Sequence, residues 1–317
     1  YPSNMTLNRA RTAVTVAFIT NGFVVGSFFS RVPDFKAKFQ VTSGEFAIAL
    51  ALDALGVIIS IGPAGRICAK FGSRSVAVPS AIGLSLSLFL TGLTQNFQQF
   101  CIALFFVGAL LATQDVGMNA HAIAVEHNYK KKFMSFFHAM FSLGGFTGAL
   151  TGGIFSQLKI AIWQHAIVIA LLVVVSTYFL RNWWLPAEID IHSIEKHNRK
   201  RRPGIFWLLG LIGLCGQVGE GAAGDWGGIL SRDTFNANPF VSAIPYVMFS
   251  ASMVIGRLIG DYIRMKYGAR KILLICGLIA GAGLIFGLTI GGIGGVIIGW
   301  TALGAGLSIT IPILFAA

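Results

Sequence analysis

Ten apolar stretches recur along this 317-residue chain, over residues 12–31, 44–69, 75–94, 98–126, 133–156, 160–182, 204–230, 240–265, 270–289 and 292–315. Each is long enough, at ~1.5 Å per helical residue, to cross a hydrocarbon core of about 30 Å. None alternates polar and apolar residues with period two, so helices are expected rather than a membrane barrel. Only 11% of the residues are charged, against about a quarter in soluble domains. The fold class expected is an all-α integral membrane protein.

The net charge of +12 would point to nucleic acid in a soluble chain. Here its distribution decides otherwise. Nineteen of the 24 lysines and arginines fall in alternate loops on one side, and only Arg31, Lys36, Lys38, Lys159 and Arg232 fall on the other. That asymmetry is the positive-inside pattern. It places the amino terminus on the cytoplasmic side and removes the argument for nucleic acid as a partner; the expected setting is a bacterial-type inner membrane. Cys68, Cys101, Cys215 and Cys276 lie in or beside apolar runs without metal-binding spacing, so they read as small packing residues, and no metal or cofactor is expected. Trp183, Trp184 and Trp207 are expected at the cytoplasmic interface, Trp163 and Trp226 at the opposite one.

Lys70-Phe71-Gly72-Ser73-Arg74 recurs 196 residues later as Lys266-Tyr267-Gly268-Ala269-Arg270, each copy closing an apolar run. A duplicated edge of this kind implies two homologous halves. The expected organisation is a six-helix bundle over 1–182, a polar and basic linker over 183–203, and a partial bundle of four helices over 204–317. Two helices short of its partner, the second half reads as a fragment of a twelve-helix whole.

With these motifs in hand, the chain resembles the major facilitator superfamily over essentially its full length. That family's loop between the second and third helices reads G-x-x-x-D-R-x-G-R-R; here it is Gly65-Arg66-Ile67-Cys68-Ala69-Lys70-Phe71-Gly72-Ser73-Arg74, with Ala69 in place of the acid. The second half carries Gly256-Arg257-Leu258-Ile259-Gly260-Asp261 and restores one. Three stretches are similar to the branch containing the fucose permease: Ser30-Arg31-Val32-Pro33-Asp34 after the first helix, Gln114-Asp115-Val116-Gly117-Met118-Asn119-Ala120, and Phe136-Phe137-His138-Ala139-Met140-Phe141-Ser142-Leu143-Gly144-Gly145. The resemblance implies two pseudo-symmetric bundles and transport by alternating access. In that branch the positions of Asp115 and Asn119 hold an acid and an amide used in proton-coupled binding; another family carboxylate is Phe29 here.

An ionised carboxylate in a bilayer core is costly unless it is paired or faces a wet cavity. Asp53, Asp115 and Glu220 are the three acids within apolar helix. Asp115 and Asn119, one turn apart, share a helix face, with Gln114, Met118 and His121 beside them. Asp115 and Glu220 are the expected proton-coupling groups; Asn21, Gln114, Asn119, Gln217, Glu220 and Trp226 are the expected solute-binding ones. The glycines around Glu220 predict either a broken helix at a binding site or close helix packing. Gly144, Gly148 and Gly152 predict another close-packing face. Asp53, Gly65, Arg66, Lys70, Gly72, Arg74, Arg257, Asp261, Gly268 and Arg270 are expected to gate or to form the loop motif at the cytoplasmic edge. The function expected is proton-coupled uptake of a small polar solute, a sugar among the candidates, by a monomer and not an enzyme; the alternatives are an exporter of the same fold or a non-transporting fragment.

Overall fold

Among the described residues each apolar stretch forms a helix, and several helices outrun their apolar cores. The computed structural model describes residues 4–190 and 203–310. The long helices are α1 (Asn4–Phe39), α2 (Ser43–Phe71), α3 (Arg74–Leu93), α4 (Phe97–Tyr129), α5 (Met134–Gln157), α6 (Ile162–Leu180), α7 (Pro203–Phe235), α8 (Pro239–Tyr267), α9 (Ala269–Ile290) and α10 (Gly292–Leu307). Among the described residues there is no strand. Among the described residues, seven helices (α1–α4, α6, α8 and α9) are long and apolar enough in themselves to cross a membrane. α10 is a shorter apolar helix, and the runs of α5 and α7 are diluted by glycine and polar residues.

Local chemistry sets the helix ends. Thr42 and Glu45 form a reciprocal capping box at the start of α2, satisfying two donors that the helix itself leaves open. Asn96 and Asn238 cap α4 and α8 through their side-chain oxygens. Glu126, near the end of α4, accepts from the backbone N–H groups of Phe133 and Met134 and so caps α5. Lys38 donates to the carbonyls of Gly92 and Thr94 at 3.2 and 2.7 Å, closing the C-terminus of α3 with a cation where the helix dipole is negative.

Two expected boundaries move. The Ser30–Asp34 stretch does not follow the first helix; α1 runs through it to Phe39 with Pro33 inside. Arg31 is accordingly a buried helix residue, 4% exposed, not a loop cation. The helix before the linker ends at Leu180, two residues short of the expected span, and a 3-10 turn over Arg181–Trp183 leads into a segment whose Trp184, Leu185 and Asp190 are buried. Residues 191–202 lie outside the described ones.

The helices group into two compact units, one of Tyr1–Val24, Asp34–Phe137 and Ile160–Asn198, the other of Val25–Pro33, His138–Lys159 and Arg199–Ala317. In the first, Phe35, Phe39, Phe46, Phe97 and Phe100 make a chain of ring contacts joining α1, α2 and α4. In the second, Ala149 of α5 packs in one core with Ala223, Tyr246, Phe249, Met253, Trp300 and Leu303. A Cβ at Gly26 would fall 2.1 Å from the carbonyl oxygen of Gly145, so α1 and α5 meet backbone to backbone there. Gly144, Gly148 and Gly152 are all buried, as the close-packing pattern predicts.

The repeat is visible in backbone and packing. Gly72 and Gly268 adopt φ +80°, ψ 157° and φ +83°, ψ 147°, a region open essentially to glycine alone. Each donates its N–H back four residues at 2.9 Å, to Cys68 and Arg264. Lys70 lies over Phe71 and Lys266 over Tyr267, at 5.0 and 5.3 Å. Deeper in, a Cβ at Gly108 would lie 2.1 Å from the carbonyl oxygen of Asp53, and one at Gly304 would lie 2.4 Å from that of Phe249. Those two pairs are related by the same 196-residue offset.

Candidate functional site

The second unit buries an ion pair where the sequence suggested only a carboxylate. Glu220 of α7 meets Arg257 of α8, Oε1 to Nη2, at 3.2 Å. The guanidinium also donates through Nη1 to the His138 carbonyl oxygen at 3.1 Å and to Ser142 Oγ, both on α5. Arg257 is 2% exposed and the Glu220 side chain 19%. Removing either partner would strand a charge in an apolar medium, far costlier than the pair itself. Arginine suits this three-way bond because its planar fork presents several donors at fixed angles. Tyr246 closes the site from the side, its hydroxyl bonded to Ser250 and its ring 5.0 Å from Phe29.

Two expectations are corrected by this geometry. Arg257 does not belong with the cations of the cytoplasmic edge; it lies ten residues before the end of α8, ~15 Å inward by helical rise. The signal that could have found it is its spacing from Gly268, too long for an edge residue. The second correction concerns the glycines of α7: the helix is unbroken from Pro203 to Phe235. A Cβ would meet Leu307 at Gly219, the Phe29 ring at Gly224, the Trp300 indole at Gly227 and Pro33 at Gly228. These glycines admit neighbouring side chains rather than unwind the backbone, so packing prevails over the broken-helix expectation.

In the first unit, Asn119 Nδ2 donates to the carbonyl oxygen and to Oδ1 of Asp115 at 2.9 and 3.0 Å. The amide and acid thus act as one group. Ile102, Phe106 and Ile123 mark the exposed apolar stripe of α4, and at 3.6 residues per turn Asp115 projects about 130° away from it. Leu104, Met118 and Ala122, on Asp115's side of the helix, are buried, while Asp115 itself is exposed. The carboxylate is thus accessible on the packed side of α4 and lies away from the exposed apolar stripe. Gln114 is buried a quarter-turn away, and Asn21 of α1 is 1% exposed with neither amide atom hydrogen-bonded. Gln217 is exposed and Trp226 half-buried. Asp53 is half-buried where α2 crosses Gly108.

The cytoplasmic edge of the first unit holds a network that the sequence does not announce. Leu185 N–H donates to His121 Nε2 at 3.1 Å, which leaves Nδ1 to carry the proton and donate to Ser73 Oγ at 2.7 Å. The Ser73 backbone N–H donates to Asp190 Oδ2. Trp184 lies 4.5 Å from the His121 ring, turned inward rather than toward a lipid interface. Burial pushes the Asp190 carboxyl up, and the Ser73 amide and hydroxyl pull it back. An acid borne by the start of the linker therefore fastens the Gly72 turn, in a motif whose own acid is Ala69. Arg66, Lys70, Arg74 and Arg270 are exposed and Gly65 half-buried, and Arg74 donates to Asn182 Oδ1 at 3.1 Å. The Asp261 side chain lies outside the described ones.

The sequence profile of the Major Facilitator Superfamily matches residues 14–317. The chain belongs to the Major Facilitator Superfamily. Among curated relatives, it is 30% identical over 309 residues to the uncharacterized transporter y4wD of Sinorhizobium fredii, covering 96% of this chain and 80% of that one. It is 26% identical to the membrane protein MosC of Rhizobium meliloti, covering 96% and 74%, and 27% identical to an uncharacterized MFS-type transporter of Yersinia pestis, covering 97% and 79%. In fold it is similar to the nucleoside transporter NupG, with TM-score 0.69, 11% identity and coverage of 97% and 80%. FucP, solved in an outward conformation, is likewise similar, with TM-score 0.64, 16% identity and coverage of 96% and 83%.

As a superfamily member the protein is a multi-pass membrane transporter rather than an enzyme. Among the described residues no cluster of ligands suits a metal ion. The chemistry at hand is of two kinds: an acid–amide pair on α4 that can accept hydroxyl protons or a free proton, and an acid–guanidinium pair between α7 and α8. Both suit reversible proton and solute binding.

Proposed function

We propose that this protein is a secondary active transporter that takes up a small polar solute by alternating access, driven by the proton gradient. The observation that carries the reading is the direction of Asp115: accessible, bonded to Asn119, and turned to the packed side of α4. An acid so placed can exchange a proton with an aqueous opening without lipid contact. With Asn119 it offers acceptors and a donor to a hydroxyl-bearing solute such as a sugar. Glu220 is a second protonation site, because neutralising it removes the attraction that holds Arg257. Binding energy that differs between the two conformations then shifts their populations and couples proton to solute. Asn21, Gln114, Gln217 and Trp226 complete the solute contacts in this reading.

The two halves implied by the repeat, 1–182 and 204–317, act as the moving bodies. The basic residues of the alternate loops support an inner-membrane setting with the amino terminus in the cytoplasm. The test is Asp115→Asn in sealed vesicles: solute accumulation driven by an imposed pH gradient is expected to vanish while solute exchange without a gradient continues. Accumulation at the wild-type level would remove Asp115 from the coupling step.

A further inference from the structure

Two arginines bind the same helix at different depths. Arg257 donates to Ser142 Oγ and the His138 carbonyl oxygen, in the inner third of α5. Arg232, at the other end of α7, donates through Nη2 to Ser156 Oγ at 3.0 Å and through Nε to Ser242 Oγ at 3.0 Å. Ser142 and Ser156 are fourteen residues apart, ~21 Å along the helix. Beside the outer arginine the Phe240 N–H donates to Gln157 Oε1 at 3.2 Å, and Gly153 faces Ala243 so closely that a Cβ there would lie 2.8 Å from its methyl carbon. α5 comes from the first half of the repeat; α7 and α8 come from the second. Along this seam a member of one half is bolted to members of the other, at both ends, by charge-assisted bonds from the second half to serines of the first.

We propose that Arg257 and Arg232 are positioning residues that release α5 in turn, Arg257 holding the inner part of the seam and Arg232 the outer. This rests on the alternating-access reading. Rigid helices that rock against each other part at one end as they close at the other, which requires each end to have its own breakable bond; here the two ends use different serines and different arginines. The inner bond is tied to a titratable group. Glu220 shares the guanidinium of Arg257, so a proton on Glu220 removes the ionic part of that guanidinium's hold and leaves its bonds to α5. Proton uptake would thus free the guanidinium from its own half and leave Ser142 and the His138 carbonyl as its partners, ~21 Å along the helix from the outer fastening.

The test uses the full chain with its four cysteines replaced by serine and two spin-label pairs: Leu143→Cys with Tyr262→Cys for the inner part of the seam, Leu158→Cys with Thr234→Cys for the outer end. All four positions are exposed. The serine variants keep each arginine: Ser156→Ala removes the serine that Arg232 binds on α5, and Ser142→Ala leaves Arg257 only the His138 carbonyl there. Ser142→Ala is expected to lengthen the inner distance and shorten the outer one; Ser156→Ala should do the reverse. Each should shift the ratio of the two populations at least about five-fold, the scale of one lost charge-assisted hydrogen bond. If each variant loosens only its own end, or moves neither distance while the unmodified seam still shows two populations, the paired release is wrong and alternating access stands. A single population at both ends of the unmodified chain, from acid to neutral pH, would overturn the alternating-access reading itself and the release with it. Arg257→Lys supplies a further check: a lone ammonium cannot span Glu220, Ser142 and a carbonyl at once, so it should fall with Ser142→Ala rather than with the parent chain.

Discussion

At the scale of single residues, the acids of the bilayer region were legible, whereas the cation paired with Glu220 was not. Glu220 stands out in the sequence because few carboxylates interrupt the apolar runs. Arg257 does not, because an arginine near a basic loop reads as a topology signal unless its distance of eleven residues from Gly268 is converted into depth. The pairing has a measurable consequence. Arg257→Ala leaves Glu220 buried without its cation and should cost about 3–5 kcal/mol of stability, whereas the double change Arg257→Met with Glu220→Gln should recover most of that. Thermal unfolding in detergent reads both; equal losses in the single and double variants would show that packing of the long side chain, not charge, is what matters. Asp115 and Asn119 were legible as a pair, since a spacing of four places both on one helical face. Asp190 was hidden, because its partner Ser73 is 117 positions away and nothing local in a polar linker marks one acid for burial. Asp190→Ala would strand the buried Ser73 N–H, a loss of about 1–3 kcal/mol. Hydrogen exchange over residues 184–190 should then speed up while α4 keeps its protection.

At the scale of helices and turns, glycine has opposite meanings at different positions. Gly72 and Gly268 are demanded by backbone angles, and either changed to alanine should cost about 1–3 kcal/mol from strain alone. Gly72 also faces Ala187, whose Cβ is 3.0 Å from where a new methyl would sit, while nothing lies within 4 Å of Gly268. Gly72→Ala is therefore expected to be the more damaging of two changes that look alike in sequence, as chemical denaturation of the two variants would register. In α7 the glycines are pockets for Phe29, Trp300, Pro33 and Leu307. A count of glycines could not separate that from helix breakage, because both produce the same composition. What distinguishes them is which large side chains arrive from other helices, and that information is nonlocal. The continuation of α1 through Pro33 is a similar case: proline argues for an end, yet the helix on either side is long enough to carry the interruption.

For the whole molecule, helix number and order follow from run length and spacing, and the duplication follows from one pentapeptide. The grouping of α5 and part of α1 with α7–α10 does not, since it depends on which glycine faces meet. Orientation rests on loop charge, so reporter domains inserted after Arg202 and after Asn236 should report opposite sides of the membrane, the former cytoplasmic; the same side for both would remove the ten-span order. The matched approaches at Gly108 and Gly304 carry a consequence for how such a chain could diversify. What faces the glycine is an aspartate in one copy and a phenylalanine in the other, while the backbone crossing persists. A joint of that kind constrains the backbone and not the side chain, so the residue opposite each glycine is a position where chemistry can be exchanged without disturbing how the helices cross.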